Sequence, residues 1–200
     1  MDKTEKRTFA SSVGIDVEKR EEGEVNKIVG TILYGVPSKE LDWFTEIIMP
    51  GAFDDVLKDD IRALFNHNPD LILGRTKSGT MKIQLTEKGL GFEIFYPDTS
   101  CARDLVESIR RGDIDAVSFA FRTKDVEWID NEDGTSTRKI LKFSMLQDIS
   151  PVTYPAYPDM SIDLRGEYEA SKQARKLSDD DPDDDLAGYE KRLHMITIDN

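Results

Sequence analysis

The sequence contains few of the residues that build metal centres and disulfides. Cys101 is the only cysteine, and His67 and His194 are the only two histidines. One cysteine excludes an internal disulfide framework and a zinc site of clustered thiolates. Two histidines argue equally against a site built on several imidazoles. A function that depends on either kind of metal site is therefore not expected.

Basic residues are also scarce relative to acidic ones. The chain has 27 Lys and Arg against 40 Asp and Glu, which gives a formal net charge of −13 at pH 7. Such an acidic chain is poorly suited to bind a nucleic-acid backbone or an anionic membrane surface. Met1–Arg7 has five charged residues among seven, and no later stretch approaches the run of about 18 apolar residues that a membrane helix requires. We expect a soluble, intracellular protein that contacts neither nucleic acid nor membrane.

The length and hydrophobic content fit one domain with a tail. With 200 residues, of which 38% are hydrophobic, the chain can form one sizeable core. We expect this core in a domain over 1–165, followed by a flexible tail over 166–200. In the tail, 178–185 holds six acids in eight residues around a proline, which predicts a solvated linker. Apolar residues three to four positions apart over 186–198 predict a short C-terminal helix.

Strands dominate the predicted domain. Short runs rich in β-branched and aromatic residues are separated by Gly, Pro or Asp, as in strands joined by tight turns. These runs are Ile28–Tyr34, Trp43–Met49, Ile61–Phe65, Thr80–Leu85, Leu90–Tyr96, Val117–Phe121, Lys124–Ile129, Thr137–Met145 and Leu146–Tyr154. The segments 87–89 and 131–134 predict hairpin turns, the second because its Asp-Gly pair accepts a positive φ.

Two helices are expected between the strands. Gly51–Lys58 has its apolar residues on one face and predicts two helical turns. A second helix begins after a cap at Thr99 or Ser100 and stops at Gly112, which can adopt the left-handed conformation. Many strands with few helices, and no alternating βαβ units, predict a mainly β, α+β fold. We expect a closed or partly open antiparallel β-barrel with flanking helices.

Ser118 is a candidate nucleophile because of its neighbours along the strand. Side chains alternate between the two faces of a strand, so Val117, Phe119 and Phe121 predict a core face. Ser118 then lies on the other face between Ala116 and Ala120, where small side chains leave room for an imidazole and a substrate. The alternative interpretation is a small serine packed beneath a helix.

His67 and an acid can complete such a site. His67 lies before Pro69, which we expect to end a strand and hold the imidazole at a sheet edge. Histidine accepts and returns a proton near neutral pH, although a lone histidine is also often a surface residue without a task. Asp148 is set between apolar residues and is the candidate orienting acid, with Glu93 as its rival.

Five segments, taken in order, resemble one family. They are Leu64-Phe-Asn-His-Asn68 with Leu73-Gly-Arg75, Gly79-Thr80, Arg111-Gly-Asp-Ile114, Ser118-Phe-Ala-Phe121, and Leu146-Gln-Asp-Ile-Ser-Pro-Val-Thr-Tyr-Pro-Ala-Tyr-Pro158. Together, over roughly 7–165, they resemble the prohead (procapsid) maturation proteases of tailed bacteriophages. That family is similar in fold to the herpesvirus assembly protease, a β-barrel surrounded by helices.

The resemblance implies a serine endopeptidase without metal or cofactor. Ser118 matches the nucleophile and His67 the general base. Asp148 stands where the family commonly carries Glu, and Ala120 stands where it commonly carries Gly. The oxyanion donors that the resemblance suggests are Arg75 and backbone N–H groups near Ser118, at Phe119 and Ala120.

The resemblance also implies partners and a place of action. The expected substrates are the phage scaffold protein, the N-terminal extension of the major capsid protein, and the protease itself. Cleavage would occur inside the assembling prohead in the bacterial cytoplasm, with a homo-oligomer as a further expectation. The tail beyond residue 165 is then a segment for self-cleavage or for docking on the shell interior.

Two other functions remain open at the level of sequence. Cys101 begins the second helix, whose N-terminal dipole is expected to lower a thiol pKa, so a Cys101–His67 cysteine protease is chemically reasonable. The chain could instead be a non-catalytic capsid scaffolding or binding module that uses its acidic tail. The joint presence of His67, Ser118 and Asp148 favours the serine protease over both.

Overall fold

The computed structural model of the chain describes residues 4–8, 15–18, 27–38, 41, 43–154 and 168–174. The chain divides into two compact units, Met1–Met160 and Ser161–Asn200. In the second unit the structure describes one helix, α2, over 168–174. The predicted acidic linker and C-terminal helix lie outside the described residues. The domain boundary at residue 165 stays a prediction.

The first unit is built mainly from strands. In chain order they are β1 Glu5–Thr8, β2 Ile15–Glu18, β3 Lys27–Leu33, β4 Phe44–Ile48, β5 Arg62–Phe65, β6 Asn68–Arg75, β7 Met81–Thr86, β8 Gly89–Ile94, β9 Ala116–Asp130 and β10 Ser136–Val152. One α-helix, α1 Ser100–Arg110, follows β8. The expectation of a mainly β fold with few helices is confirmed.

The strands form two sheets. The larger has the order β1-β9-β10-β5-β6, with β4 also paired to β10, and the smaller has the order β2-β3-β8-β7. Strand β10 runs antiparallel to β9 but parallel to both β4 and β5. The larger sheet is therefore mixed, and it forms a curled half-barrel. The prediction of a closed or partly open antiparallel barrel is wrong in the direction of these strands. Strand direction depends on how the connections cross the sheet, and no local pattern in the sequence encodes it.

The segment predicted as the first helix forms only a short 3-10 turn. This turn covers Asp54–Val56, and hydrogen bonds from Ala52 N to Met49 O and from Asp54 N to Gly51 O span three residues rather than four. Three-residue hydrogen bonds define tight single turns and do not extend into an α-helix. The expected apolar contacts nevertheless form, since Phe53 and Val56 are fully buried.

The second predicted helix is confirmed. The Thr99 side chain accepts a hydrogen bond from Ala102 N at 3.3 Å and caps α1. Gly112 has φ +77° and follows the helix in the left-handed conformation that a side chain would disfavour. The buried stripe of α1 packs into the core and consists of Ala102, Leu105, Val106 and Ile109.

The core lies against one face of β9. Val117, Phe119 and Phe121 are fully buried there, as the alternation of the sequence predicts. Phe121 meets Phe143 of β10 with ring centroids 4.9 Å apart, and Phe119 meets the same ring at 6.1 Å. Burying such rings supplies much of the apolar stabilisation of a domain. This packing holds β9 and β10 together and leaves the opposite face of both strands outside the aromatic core.

A buried ionic cluster ties the N-terminal strand to the same sheet. Arg138 of β10 is fully buried, and its Nη1 lies 2.7 Å from Glu46 Oε1 on β4. The two guanidinium nitrogens also donate to Glu5 on β1, at 2.9 and 3.1 Å. Charged hydrogen bonds of this bidentate kind are stronger than neutral ones. Arg138 therefore links β1, β4 and β10.

Candidate active site

Ser118 lies in the middle of the larger sheet. On β9 it faces away from the aromatic core, with Ala116 and Ala120 on the same face. Its cross-strand partner on β10 is Ser150, and its cross-strand partner on β1 is Thr8. Ser118 has no exposed surface. The hydroxyl is therefore buried, on the face that Ser118 shares with two small side chains.

His67 projects from a tight turn and not from the end of a strand. Asn66 and His67 have φ of +53° and +54° and connect β5 to β6, with Phe65 paired to Asn68. Two consecutive left-handed residues are typical of the type I′ hairpin turn, which Asn favours. The prediction that Pro69 ends a strand is wrong, because Pro69 lies within β6, an outer strand of the sheet where a missing N–H is tolerated.

Asn66 fixes this turn to the end of β10. Its backbone N donates to Pro151 O at 3.0 Å. Its side-chain amide donates to Thr153 Oγ1 at 3.2 Å and accepts from Thr153 N at 2.8 Å. Three hydrogen bonds to one segment define both the position and the direction of the neighbouring imidazole. Asn66 is not among the predicted site residues, although an Asn beside a histidine at a turn is a signal for left-handed backbone.

A β-bulge brings Asp148 to the same face as Ser118. Leu146 pairs with Phe121 and Asp148 pairs with Ala120, so β10 has one extra residue, Gln147, at this point. In a regular strand without the bulge, Asp148 would share the core-facing side of Leu146, since residues two apart on a strand share a face. The bulge turns the carboxylate away from the core. The small Ala120 opposite it leaves room for the carboxylate.

The three side chains form one chain of hydrogen bonds. His67 Nε2 lies 2.7 Å from Ser118 Oγ, and His67 Nδ1 lies 2.6 Å from Asp148 Oδ1. The residues are 51 and 81 positions apart in sequence, so the fold alone brings them together. A carboxylate at Nδ1 favours the tautomer with hydrogen on Nδ1, which leaves Nε2 free to accept the hydroxyl proton. This is the arrangement that activates a serine as a nucleophile.

Two other candidate residues lie elsewhere. Glu93, the rival acid, forms an ion pair with Lys27 on the smaller sheet. Arg75 donates from Nε to Asp60 Oδ1 at 2.7 Å, and this bond lowers the pKa of the Asp60 carboxyl. Arg75 is paired with Arg62, at the opposite end of the β5–β6 hairpin from His67. Its role as an oxyanion donor stays a prediction, as do those of Phe119 and Ala120.

The structure gives no support to Cys101 as the nucleophile. Both ring nitrogens of His67 contact Asp148 and Ser118. Burial raises the pKa of the Cys101 thiol, and the negative charge of Asp104 raises it further. The expectation that the helix N-terminus would lower this pKa is therefore wrong, because desolvation and a like charge both oppose the thiolate.

The raised pKa predicts an unreactive thiol. At pH 8 a smaller fraction of Cys101 is ionised than in a free cysteine, so iodoacetamide is expected to alkylate it more slowly. Mass spectrometry gives the rate of alkylation, and peptide cleavage gives the activity that remains. Full activity after complete alkylation is expected. Activity lost in step with alkylation, and retained in Ser118→Ala, would instead support a cysteine mechanism.

Two kinds of feature are not found in the described part of the chain. Within it, no three His, Cys, Asp or Glu residues come together in a way that could hold a metal ion. The helices described there are also too short or too polar to cross a membrane.

The chain can now be placed among known proteins. No curated protein matches it. Among solved structures, it is similar to the capsid assembly protease gp21 of bacteriophage T4, with 13% identity, coverage of 76% of this chain and 98% of that chain, and a TM-score of 0.48. The caudovirus prohead serine protease family matches over residues 14–174, which include all three members of the hydrogen-bonded chain. Because this match spans most of the sequence, the chain belongs to the caudovirus prohead serine protease family.

Proposed function

We propose that the protein is a serine endopeptidase whose nucleophile is Ser118, with His67 as general base and Asp148 as the orienting acid. The observation that carries this proposal is the continuous hydrogen-bonded chain from Ser118 Oγ through the imidazole to Asp148 Oδ1. A serine, a histidine and an acid joined in this order are the residue types that these three roles require. Membership of a prohead serine protease family supports the same reaction class.

The proposed reaction proceeds in two stages. Ser118 Oγ attacks the scissile carbonyl carbon while His67 Nε2 takes the hydroxyl proton, and Asp148 stabilises the imidazolium that forms. The imidazolium then protonates the leaving amine as the C–N bond breaks, which gives an acyl-enzyme. Water attacks the ester with its proton passing to Nε2, and the return of that proton to Oγ frees the acid product and restores the serine.

The oxyanion formed in each stage needs hydrogen-bond donors. We favour the backbone N–H groups of Phe119 and Ala120, which adjoin Ser118 on β9. Arg75 is a weaker candidate, because its guanidinium already binds Asp60. Arg75 also lies at the opposite end of the β5–β6 hairpin from His67.

The substrates follow from the family. As a prohead protease the chain acts in phage capsid maturation. We propose that it cleaves the N-terminal extension of the major capsid protein, the scaffold protein and itself inside the assembling prohead. These substrates need no metal or other cofactor for cleavage by the mechanism above.

Co-expression with the major capsid protein of the same phage tests this proposal. The expected result is a shortened capsid protein, with one new N-terminus found by sequencing, in the presence of the wild-type chain only. Ser118→Ala is the matched inactive chain. A capsid protein that stays full length with both chains would refute this substrate, and an intact scaffold protein as well would favour the scaffolding module.

A further inference from the structure

Ser150 makes a contact that the mechanism above does not use. Its Oγ donates to Asp148 Oδ1 at 2.6 Å, and Ser150 has no exposed surface. The acceptor is the same oxygen that faces His67 Nδ1. Two donors therefore converge on one carboxylate oxygen in a buried environment, where hydrogen bonds to a charged group are strong.

The register of the sheet explains why this serine can act there. Ser150 follows Asp148 by two residues beyond the bulge, so the two side chains share a face. Ser150 is also the direct cross-strand partner of Ser118. It thus lies beside the proposed triad without a contact to either ring nitrogen of His67, both of which are taken by other groups.

We propose that Ser150 is a positioning residue for the proposed protease reaction. The terminal torsion of an aspartate is soft, so one hydrogen bond to the imidazole leaves the carboxylate free to rotate. The Ser150 hydroxyl supplies the second bond and holds Oδ1 in line with Nδ1–H. The imidazole is then held with Nε2 directed at Ser118 Oγ, in the geometry needed for proton transfer.

Ser150→Ala is expected to lower kcat by about 10- to 100-fold, as for loss of a hydrogen bond to a charged group. KM should change by less than about twofold, since the hydroxyl has no contact with substrate in this proposal. Ser150→Thr keeps the hydroxyl and should restore most of kcat. Ser136→Ala is the matched control, because Ser136 is another buried serine of β10 and lies far from the site.

A spectroscopic readout separates this inference from the proposed function on which it rests. The Nδ1–H proton of His67 should give a low-field NMR signal that shifts in Ser150→Ala and not in Ser136→Ala. An unchanged signal with unchanged kcat would overturn the positioning role while leaving the protease intact. A wild-type chain that cleaves nothing would overturn the protease, and the signal would still decide whether Ser150 orients the carboxylate.

The N-terminal strand supports a second, independent inference. β1 is the outer neighbour of β9, and its register places Thr8 opposite the fully buried Ser118. His67 and Asp148 reach Ser118 from the opposite edge of β9, where β10 is its neighbour. Asp148 lies on β10, and His67 lies on the turn after β5. A peptide entering as an extended strand along β9 would need the position that β1 occupies.

From this register we infer that β1 covers the nucleophile of the proposed protease and must detach before a peptide can be cleaved. The hydrogen bonds from Arg138 to Glu5 hold the strand closed. Activity then scales with the small fraction of molecules in which β1 is released. Weakening the attachment should raise that fraction and the rate together.

Glu5→Gln tests this inference because it keeps the shape of the side chain and removes its charge. Cleavage of a short peptide is expected to rise about fivefold, from the loss of about 1 kcal/mol of hydrogen bonding. Glu127→Gln, which weakens an exposed ion pair of β9 with Lys139, should leave the rate unchanged. Lys6→Pro and Arg7→Pro form a second pair of variants. In an edge strand the backbone N–H groups of alternate residues point toward the neighbouring strand, so one of these two prolines must remove a hydrogen bond between β1 and β9.

The outcomes are separable. A wild-type chain that cleaves the peptide, together with Glu5→Gln and proline variants that remain folded and are no faster, would overturn the covering role alone. No cleavage by any variant would overturn the proposed protease and this inference with it.

Discussion

Replacing Ser118 with alanine is expected to reduce peptide cleavage by about 10⁴- to 10⁶-fold, as when the nucleophile of a serine protease is removed. The reason is that no other hydroxyl lies at 2.7 Å from His67 Nε2 among the described contacts. Ser150, the nearest cross-strand serine, directs its hydroxyl to Asp148 instead. Initial rates on one peptide substrate, with wild type and variant at equal concentration, measure the effect.

The same substitution should leave the fold almost unchanged. Loss of one buried hydroxyl costs about 1 kcal/mol, which lowers the thermal midpoint by roughly 2–4 °C in a domain of this size. Ser136→Ala is the matched control for a buried serine and should keep full activity. Residual activity above 1% of wild type, with the fold intact, would rule out Ser118 as the nucleophile.

Removal of the His67 imidazole should have an equally large effect. Glycine is the informative replacement, because His67 has φ +54° and glycine adopts this conformation without the strain that alanine would bear. His67→Gly is therefore expected to fold normally while activity falls by about 10⁴- to 10⁶-fold. Added imidazole can enter the space left behind and should restore part of the activity.

Two comparisons complete this test. His194→Gly removes the other histidine of the chain and should be fully active. The double variant His67→Gly, Ser118→Ala should be no slower than either single variant, because residues that act as a unit have non-additive effects. Multiplicative losses would show that the two side chains act independently, against the proposed mechanism.

The residue types of the site could be predicted from sequence, but the contacts between them could not. Alternation along β9 separates Ser118 from the aromatic core, and a chain with two histidines offers few choices of base. The left-handed backbone at His67 is harder to predict from sequence, since a type I′ turn with Asn-His at its centre differs from the common Asn-Gly pattern. The sequence does not point to Asn66, because its contacts are with Thr153, a residue distant in sequence. Nor does it point to Ser150, whose bond to Asp148 bears on the site only because Asp148 contacts the distant His67.

For the fold as well, local patterns predicted the elements better than they predicted the pairing between distant segments. Runs of β-branched and aromatic residues located most of the central strands within a few residues. β6 was missed because it contains Pro69 and Asp70, which are unfavourable in a central strand. The strand tolerates them because it lies at the edge of the sheet. β9 and β10 were each predicted as two strands, because Arg122 to Lys124 and the irregular stretch around Gln147 resemble breaks when only local composition is considered.

The bulge at Gln147 makes the site sensitive to the pairing of β10 as well as to its chemistry. If β10 continued without the bulge, Gln147 would pair with Ala120, and every later residue of the strand would turn to the opposite side of the sheet. Ile149 would then turn outward, and the carboxylate and hydroxyl of its neighbours would point into hydrocarbon. A shift of this pairing by one residue would thus abolish the site while leaving every functional side chain in the sequence.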